Sequence, residues 1–207
     1  MEGLGVDGQA FDNALRWEPD DSVEAFCERL RLKYLAPCDC RALDLPAESV
    51  DVVVSRAVLE HIPPNVIDRI FVESRRVLRP GGLACHFVDN SDHWQFEDRN
   101  ISRVNFLRFS DRMFWWTCIN PLNYQNRLRH SEYRELLIKS GFTILRDESE
   151  IHPDSLAALE DLPIAPRFQH FTREDLATIG SALLVCKPAR EGIAEASVGE
   201  GRSGEST

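Results

Sequence analysis

Side chains suited to proton transfer stand at two places in the sequence: Glu60 with His61, and Asp89 with His93. An imidazole changes its charge between about pH 5 and pH 8, so it can accept a proton near neutral pH. A carboxylate beside it can orient the ring and stabilise the imidazolium that forms. The residue types therefore suit general acid–base chemistry, although each side chain could equally be a solvated or core polar group.

Each place follows a segment with the pattern of a buried strand. Residues 50–55 form a short β-branched run, and residues 83–88 form the next apolar segment. Between them, apolar side chains at helical spacing follow Pro63 and stop at the Arg-Pro-Gly-Gly motif of residues 79–82, which predicts a helix that ends there. Strand, helix and strand in this order predict a βαβ unit with parallel strands and a right-handed crossover.

The carboxyl ends of parallel strands meet at one edge of a sheet, where such sheets bind ligands. Ser55 and Arg56 end the first predicted strand and are candidates for ligand contact. Ordinary loop polarity would also account for them.

The rest of the chain predicts a small number of further elements. Ser22 can cap a helix in which Phe26, Leu30 and Tyr34 form one apolar face. An aromatic-rich excursion over the sheet is expected within residues 86–133, and 189–207 have the composition of a disordered tail. The remaining predicted elements are a short strand at 36–40, a helix at 131–140, a strand at 142–145, a helix starting at Thr172 and a strand at 182–186.

Composition narrows the class of protein. With 24 basic and 34 acidic residues, the formal net charge is −10, which argues against nucleic acid or an anionic membrane as the main partner. No apolar run approaches the length of about 20 residues that a membrane span needs, and no signal peptide is evident, so we expect a cytoplasmic protein with reduced cysteines. Cys38 and Cys40 are a single close pair, so we expect no metal there.

A set of motifs in fixed order resembles a known family. Asp39-Cys40 is followed by Leu-Asp-Leu-Pro at 43–46, Ser-Val-Asp-Val-Val-Val-Ser at 49–55, Val-Leu-Glu-His-Ile at 58–62 and Arg-Val-Leu-Arg-Pro-Gly-Gly at 76–82. The set resembles class I S-adenosylmethionine-dependent methyltransferases of the small-molecule type, tightly over residues 38–88 and loosely to about 187. The resemblance implies an α/β fold: a Rossmann-like, mostly parallel sheet with flanking helices.

The resemblance also implies domain bounds. A single methyltransferase-like domain would span residues 1–188, with an aromatic lid at about 89–130 and the tail at 189–207. Trp94, Phe114 and Trp116 are among the aromatic side chains of the lid segment, and they could line an acceptor pocket or belong to the core.

Cofactor contacts come from the same resemblance. Asp39 matches the acid that accepts a hydrogen bond from the adenine amino group, and Cys40 matches the neighbour whose backbone N–H meets an adenine nitrogen. Ser55 and Arg56 stand at the cofactor edge. Asp39 could instead cap a turn.

Catalytic roles are implied as well. His61 is the best candidate for the base that deprotonates a hydroxyl acceptor, with Glu60 adjacent and Asp89 as the acid at the end of the next strand. His93 and Asp92 are alternatives. No metal is needed, because the cofactor already carries an activated methyl group.

The N-terminal residues depart from the family pattern. Gly3, Gly5 and Gly8 fit a G-x-G-x-x-G spacing, but too few residues precede them for a strand. A better alignment makes Asp7 the acid that holds the ribose hydroxyls. The predicted sheet is then N-terminally incomplete and leaves one edge of the 52–54 strand unpaired.

Two functions compete at this point. The first is methyl transfer from S-adenosylmethionine to a small-molecule, lipid or glycan acceptor, with a hydroxyl as the methylated group. The alternative is a truncated, non-catalytic methyltransferase-like fragment that cannot bind cofactor. A nicotinamide-binding domain is less consistent with the N-terminal residues, because no strand precedes Gly3. A nucleic-acid methyltransferase is less consistent with the negative net charge. The sequence does not indicate an oligomeric state.

Overall fold

A computed structural model describes residues 16, 20, 22–117 and 124–189 of the chain. Asp7, the glycines at positions 3, 5 and 8, and the predicted tail from residue 190 onward lie outside these residues. The chain divides into two compact units, Met1–Asp39 and Cys40–Thr207, which are described separately. No helix of the described part is long and apolar enough to cross a lipid bilayer.

The first unit contains helix α1 (Val23–Arg29). The Ser22 hydroxyl accepts a hydrogen bond from the backbone N–H of Ala25 at 3.1 Å, so the predicted N-cap is confirmed. The predicted apolar face to Tyr34 is wrong: the helix ends at Arg29, and Tyr34 is 74% exposed. Arg31 adopts a φ of 55°, a left-handed conformation that helices do not continue through.

The strand predicted at residues 36–40 is also wrong. That segment is irregular, and all of its side chains are exposed. Without a burial partner, so short a polar run has no reason to be extended in a sheet.

Over the residues that the structure describes, the second unit is built on a four-stranded sheet of order β1-β2-β4-β3. Its strands are β1 (Val50–Arg56), β2 (Leu78–Asp89), β3 (Thr143–Ile151) and β4 (Thr178–Cys186). β1 pairs with β2 in parallel, whereas the β2–β4 and β3–β4 pairs are antiparallel. The α/β class expected from the sequence is confirmed, but the expectation of a mostly parallel sheet is wrong for the described strands, because only one of their three pairings is parallel.

Helices flank the sheet. They are α2 (Pro64–Val77), α3 (Trp94–Glu97), α4 (Asp111–Thr117), α5 (His130–Lys139), α6 (Pro153–Asp161) and α7 (Arg173–Ala177), with single 3₁₀ turns at Leu59–His61, Asn105–Arg108 and Pro166–Phe168. One core cluster lies between α2, α5 and the sheet and includes Ile67, Phe71 and Leu137. A second includes Phe106, Phe114 and Phe168.

The predicted βαβ unit is present, but its second strand begins earlier than expected. β2 starts at Leu78, directly after α2, and the 79–82 motif lies inside the strand as an irregularity in the pairing with β1. A Cβ on Gly82 would lie 2.8 Å from the carbonyl oxygen of Arg79. The close backbone approach of a bulge, rather than a turn between elements, explains the glycine here.

Strand β1 is less buried than its apolar sequence suggested. Val52 and Val54 are 51% and 64% exposed, whereas Val53 packs against the first core cluster. β1 is an edge strand of the sheet that the described residues form. An unpaired edge beside this run was expected from the sequence, and the described part of the chain shows one.

The aromatic segment is only partly a separate excursion. Residues 86–89 belong to β2 and residues 130–133 to α5. Phe114 is buried in the second core cluster, whereas Trp94, Trp115 and Trp116 are between 43% and 63% exposed. A lid function for this segment stays a prediction.

Candidate active site

The parallel pairing of β1 and β2 brings the loops after both strands to one edge of the sheet. β1 ends at Arg56 and β2 at Asp89, and Arg56 is aligned with Phe87. The backbone N–H of Ala57 donates to the carbonyl of Phe87 at 2.9 Å, which extends the contact beyond the last strand residue. The turn Leu59–His61 and the segment after β2 therefore lie side by side.

This edge brings together the predicted catalytic side chains. One nitrogen of His61, one nitrogen of His93 and one oxygen of Glu60 lie within 4.8 Å of one another. The two imidazole rings are 5.0 Å apart at their centroids. Asp89 joins the group through a 3.6 Å ion pair between its Oδ2 and Nε2 of His93. We call these residues the Glu60–His61–His93–Asp89 cluster.

His61 has a defined tautomer. Its Nδ1 lies 2.9 Å from the carbonyl oxygen of Tyr124, and a carbonyl can only accept a hydrogen bond. Nδ1 therefore carries the proton when the ring is neutral. The lone pair of His61 is then on Nε2, where it can take a proton or bind a cation.

Glu60 is a buried carboxyl group. It is 2% exposed, and neither of its oxygens has a hydrogen-bond partner among the described residues. Burial raises the pKa of Glu60, because the charged form loses its hydration. The nearby imidazoles favour the charged form when they are protonated.

Asp89 and His93 shift each other's titration in opposite directions. Burial alone would raise the pKa of Asp89, but the interaction with His93 and the hydrogen bonds from Ser91 outweigh it and lower the pKa. The Ser91 hydroxyl and backbone N–H both donate to Asp89 Oδ1, at 2.6 and 2.9 Å. Asp89 in turn raises the pKa of His93. The pair thus favours an aspartate anion beside an imidazolium.

Asp92, the alternative acid, closes a turn. Its Oδ1 accepts a hydrogen bond from the backbone N–H of Trp94 at 3.0 Å, and its Oδ2 accepts one from the Asn105 side chain at 3.3 Å. Burial raises the pKa of Asp92. These contacts fix the segment that carries His93.

Asn126 is a supporting residue that the sequence did not reveal. Its side-chain amide donates to the carbonyls of Leu59 and Ile62, at 2.7 and 2.8 Å, so it brackets the turn that carries Glu60 and His61. Its backbone N–H donates to the carbonyl of Glu60 at 2.9 Å. An isolated asparagine in a loop carries no sequence signal for such a role, because its partners are distant in the chain.

The two arginines that follow Asn126, Arg127 and Arg129, do not form an anion-binding surface. Arg127 is buried, donates to the carbonyls of Phe106 and Phe109 and pairs with Asp111. Arg129 is fully buried, and its guanidinium bonds to backbone carbonyls. Both side chains stabilise loops, because buried carbonyls need donors.

An open groove of about 1100 Å³ adjoins the cluster along the sheet. Asp89 belongs to both, and Arg56, Phe96 and Arg103 are among the other residues that line the groove. Acidic side chains from β3 also face it, including Glu148. The groove has the size of a small-molecule site and presents mixed charge.

Comparison with known proteins agrees with the motifs. Residues 15–86 match a family described as a methyltransferase domain. A probable S-adenosylmethionine-dependent methyltransferase from Mycolicibacterium smegmatis is 31% identical over 163 residues, which cover 77% of this chain and 55% of that relative. Over the matched residues the chain is similar to S-adenosylmethionine-dependent methyltransferases. It spans just over half the length of this relative.

Solved structures of methyltransferases also match, at low identity. An S-adenosylmethionine-dependent methyltransferase from Methanosarcina mazei shares 18% identity with a TM-score of 0.43, covering 73% of this chain and 66% of that one. A putative sarcosine dimethylglycine methyltransferase from Galdieria sulphuraria shares 17% identity with a TM-score of 0.47, covering 80% and 65% respectively.

The residues assigned to the cofactor by resemblance to class I methyltransferases lie in different surroundings, and not all of them line the groove. Arg56 is exposed and lines the groove. The Ser55 hydroxyl instead lies 2.8 Å from Nδ1 of the buried His86. Asp39 and Cys40 are both exposed and fall on either side of the division between the two units. Their roles, and that of Asp7, stay predictions.

Proposed function

We propose that this methyltransferase transfers a methyl group from S-adenosylmethionine to the hydroxyl of a small-molecule or glycan acceptor. The observation that supports this most is the tautomer of His61, which leaves a lone pair on Nε2 of a ring that lies in a cluster with a buried carboxyl group. A hydroxyl acceptor needs such a group, because its proton must be removed as the new O–C bond forms.

In the proposed reaction the acceptor O–H proton moves to Nε2 of His61. The Nδ1–H bond to Tyr124 holds the ring in the required orientation. Glu60 stabilises the resulting imidazolium, since an opposite charge within a few ångströms favours the charged ring. Asp89 holds His93 at the other side of the cluster. When bound, S-adenosylmethionine would supply the activated methyl group, with a neutral thioether as the leaving group.

The residues at this edge suit the charge of the cofactor. A sulfonium is cationic, and the ionised Asp89 carboxylate adjoins the groove. By the resemblance, Asp39, Cys40 and Asp7 are the residues assigned to the adenosine, and Arg56 is the assigned cofactor residue that lines the groove.

Radiolabelled methyl transfer tests the proposal. The 207-residue chain is incubated with methyl-labelled S-adenosylmethionine and a panel of phenols and methyl glycosides, and cofactor binding is measured separately by calorimetry. We expect labelled methyl ethers, formed at least about 100-fold more slowly by His61→Ala, the usual effect of losing a general base. The control His170→Ala changes an exposed histidine outside the cluster and should keep full activity. Transfer that His61→Ala leaves unchanged, or cofactor binding with no labelled ether, would contradict the proposal.

A further inference from the structure

Glu60 presents an electrostatic problem that protein contacts alone do not solve. Its carboxyl group is 2% exposed and has no hydrogen-bond partner among the residues that the structure describes. Burying an unpartnered carboxylate costs several kcal/mol unless a cation compensates it. The groups that face it are the imidazoles of His61 and His93, with Asp89 beyond. Two carboxyl groups and two imidazoles are a typical ligand set for a metal.

His61 has the outer contact that metal-bound histidines have. Such a histidine usually donates its second ring N–H to a backbone carbonyl or carboxylate, which fixes the tautomer and leaves the other nitrogen free to ligate. The Nδ1 of His61 makes this contact with the Tyr124 carbonyl. Asn126 holds the turn that carries both His61 and Glu60, so these two ligands are fixed relative to each other.

His93 has an analogous neighbour. Its Nε2 is buried without a hydrogen bond and lies 3.6 Å from Asp89. The Asp89 carboxylate is itself fixed by two hydrogen bonds from Ser91. A carboxylate held in this way can orient the His93 ring from outside the ligand set.

We propose that Glu60, His61 and His93 form a binding site for a divalent transition-metal ion. Two imidazole nitrogens and one carboxylate oxygen favour zinc over magnesium or calcium, which prefer oxygen ligands. In a tetrahedral site with bonds of about 2.0–2.1 Å, ligand atoms are about 3.3 Å apart. The ligand atoms here lie within 4.8 Å of one another, so ring rotations close the remaining distance. Three protein ligands leave one position open for water or an acceptor oxygen.

This site does not depend on the proposed methyl transfer. A metal on Nε2 of His61 takes the lone pair that would accept the acceptor's proton, so the two uses of that atom exclude each other. Metal binding is therefore measured without cofactor or acceptor, and methyl transfer is measured on chelator-treated protein, so that the failure of one proposal can be told from the failure of the other.

Cobalt(II) is the probe, because its visible absorption reports coordination number and imidazole ligands. The chelator-treated full chain is titrated with Co²⁺, and then with Zn²⁺ as competitor. We expect one Co²⁺ per chain with a four- or five-coordinate spectrum, and displacement by Zn²⁺. His61→Ala and His93→Ala should each weaken binding at least about tenfold, and Asp89→Asn about tenfold through the orientation of His93.

Two controls separate ligation from folding. Glu60→Gln keeps the size of the side chain and should also weaken Co²⁺ binding, while circular dichroism stays that of the wild type. His170→Ala should leave the affinity unchanged. An octahedral aqua-type Co²⁺ spectrum, or affinities equal in His61→Ala, His93→Ala and His170→Ala, would overturn the proposal.

Discussion

Replacing Asn126 by alanine is the sharpest test of how the cluster is held in place. The Asn126 side chain is 6% exposed and makes four hydrogen bonds. Besides the carbonyls of Leu59 and Ile62, it bonds to the backbone N–H of Leu128 at 2.8 Å and to the Tyr133 hydroxyl at 3.1 Å. Alanine removes all four and leaves their partners in a region with little solvent.

The expected loss of stability follows from that count. A buried hydrogen bond contributes about 1 kcal/mol net, so the four bonds together contribute about 4 kcal/mol. Entry of water into the space left by the amide would reduce the loss to about 3 kcal/mol. Tyr133→Phe removes one of the four bonds and should lower the free energy of unfolding by about 1 kcal/mol.

Urea unfolding followed by tryptophan fluorescence measures both changes. Asn100→Ala is the matched control, because Asn100 is exposed and its side chain bonds to the nearby Asp98. We expect a change within about 0.5 kcal/mol. The Co²⁺ affinity of Asn126→Ala should also fall, since the turn with Glu60 and His61 loses its support. A loss of stability below about 1 kcal/mol for Asn126→Ala would refute the role assigned to this side chain.

Three further predictions concern other residues. Burial lowers the pKa of His86 to about 4, below the value of about 6.5 in the unfolded chain. As the pH falls, the unfolded state takes up the proton first, so the free energy of unfolding should fall by about 3 kcal/mol between about pH 6.5 and pH 4. Urea unfolding over this range should show a smaller drop for His86→Gln. Gly82→Ala places a Cβ 2.8 Å from the Arg79 carbonyl and should lower the free energy of unfolding by about 1–3 kcal/mol, whereas Gly81→Ala, with no atom within 4 Å of its Cβ but a φ of 75°, should lower it by about 1 kcal/mol. Asp39→Ala should weaken the binding of S-adenosylmethionine by about 1–3 kcal/mol in calorimetry, and an unchanged affinity would remove Asp39 from the cofactor site.

Local patterns predicted the elements whose signals lie within a few residues. The β-branched run at 50–55 and the helical spacing after Pro63 each correspond to an observed element, β1 and α2. Bounds were less predictable, because they depend on pairing: the 79–82 motif reads as a turn alone but forms a bulge when β2 pairs with β1. Likewise, Tyr34 fits a helical period that the left-handed Arg31 interrupts.

The sequence predicted the part of the candidate site whose position follows from the pairing of parallel strands. Placing Glu60 and Asp89 after neighbouring parallel strands was enough to expect them at one edge. The supporting contacts were not predictable, since Asn126 and the Tyr124 carbonyl reach the turn from a loop more distant in sequence. Burial of the Glu60 carboxyl group is also a tertiary effect, and no local pattern signals it.

Chemical rescue of His61→Ala tests most directly the claim that His61 takes the acceptor's proton. The rate of labelled methyl transfer is measured for the wild type, for His61→Ala and for His61→Ala with added imidazole, which supplies the missing base without restoring the backbone contacts. We predict a loss of at least about 100-fold in His61→Ala and a rate that rises with the imidazole concentration. Two results would contradict the assignment. The first is a rate for His61→Ala equal to that of the wild type. The second is a reduced rate that added imidazole does not raise, although imidazole leaves the cofactor affinity of the variant unchanged.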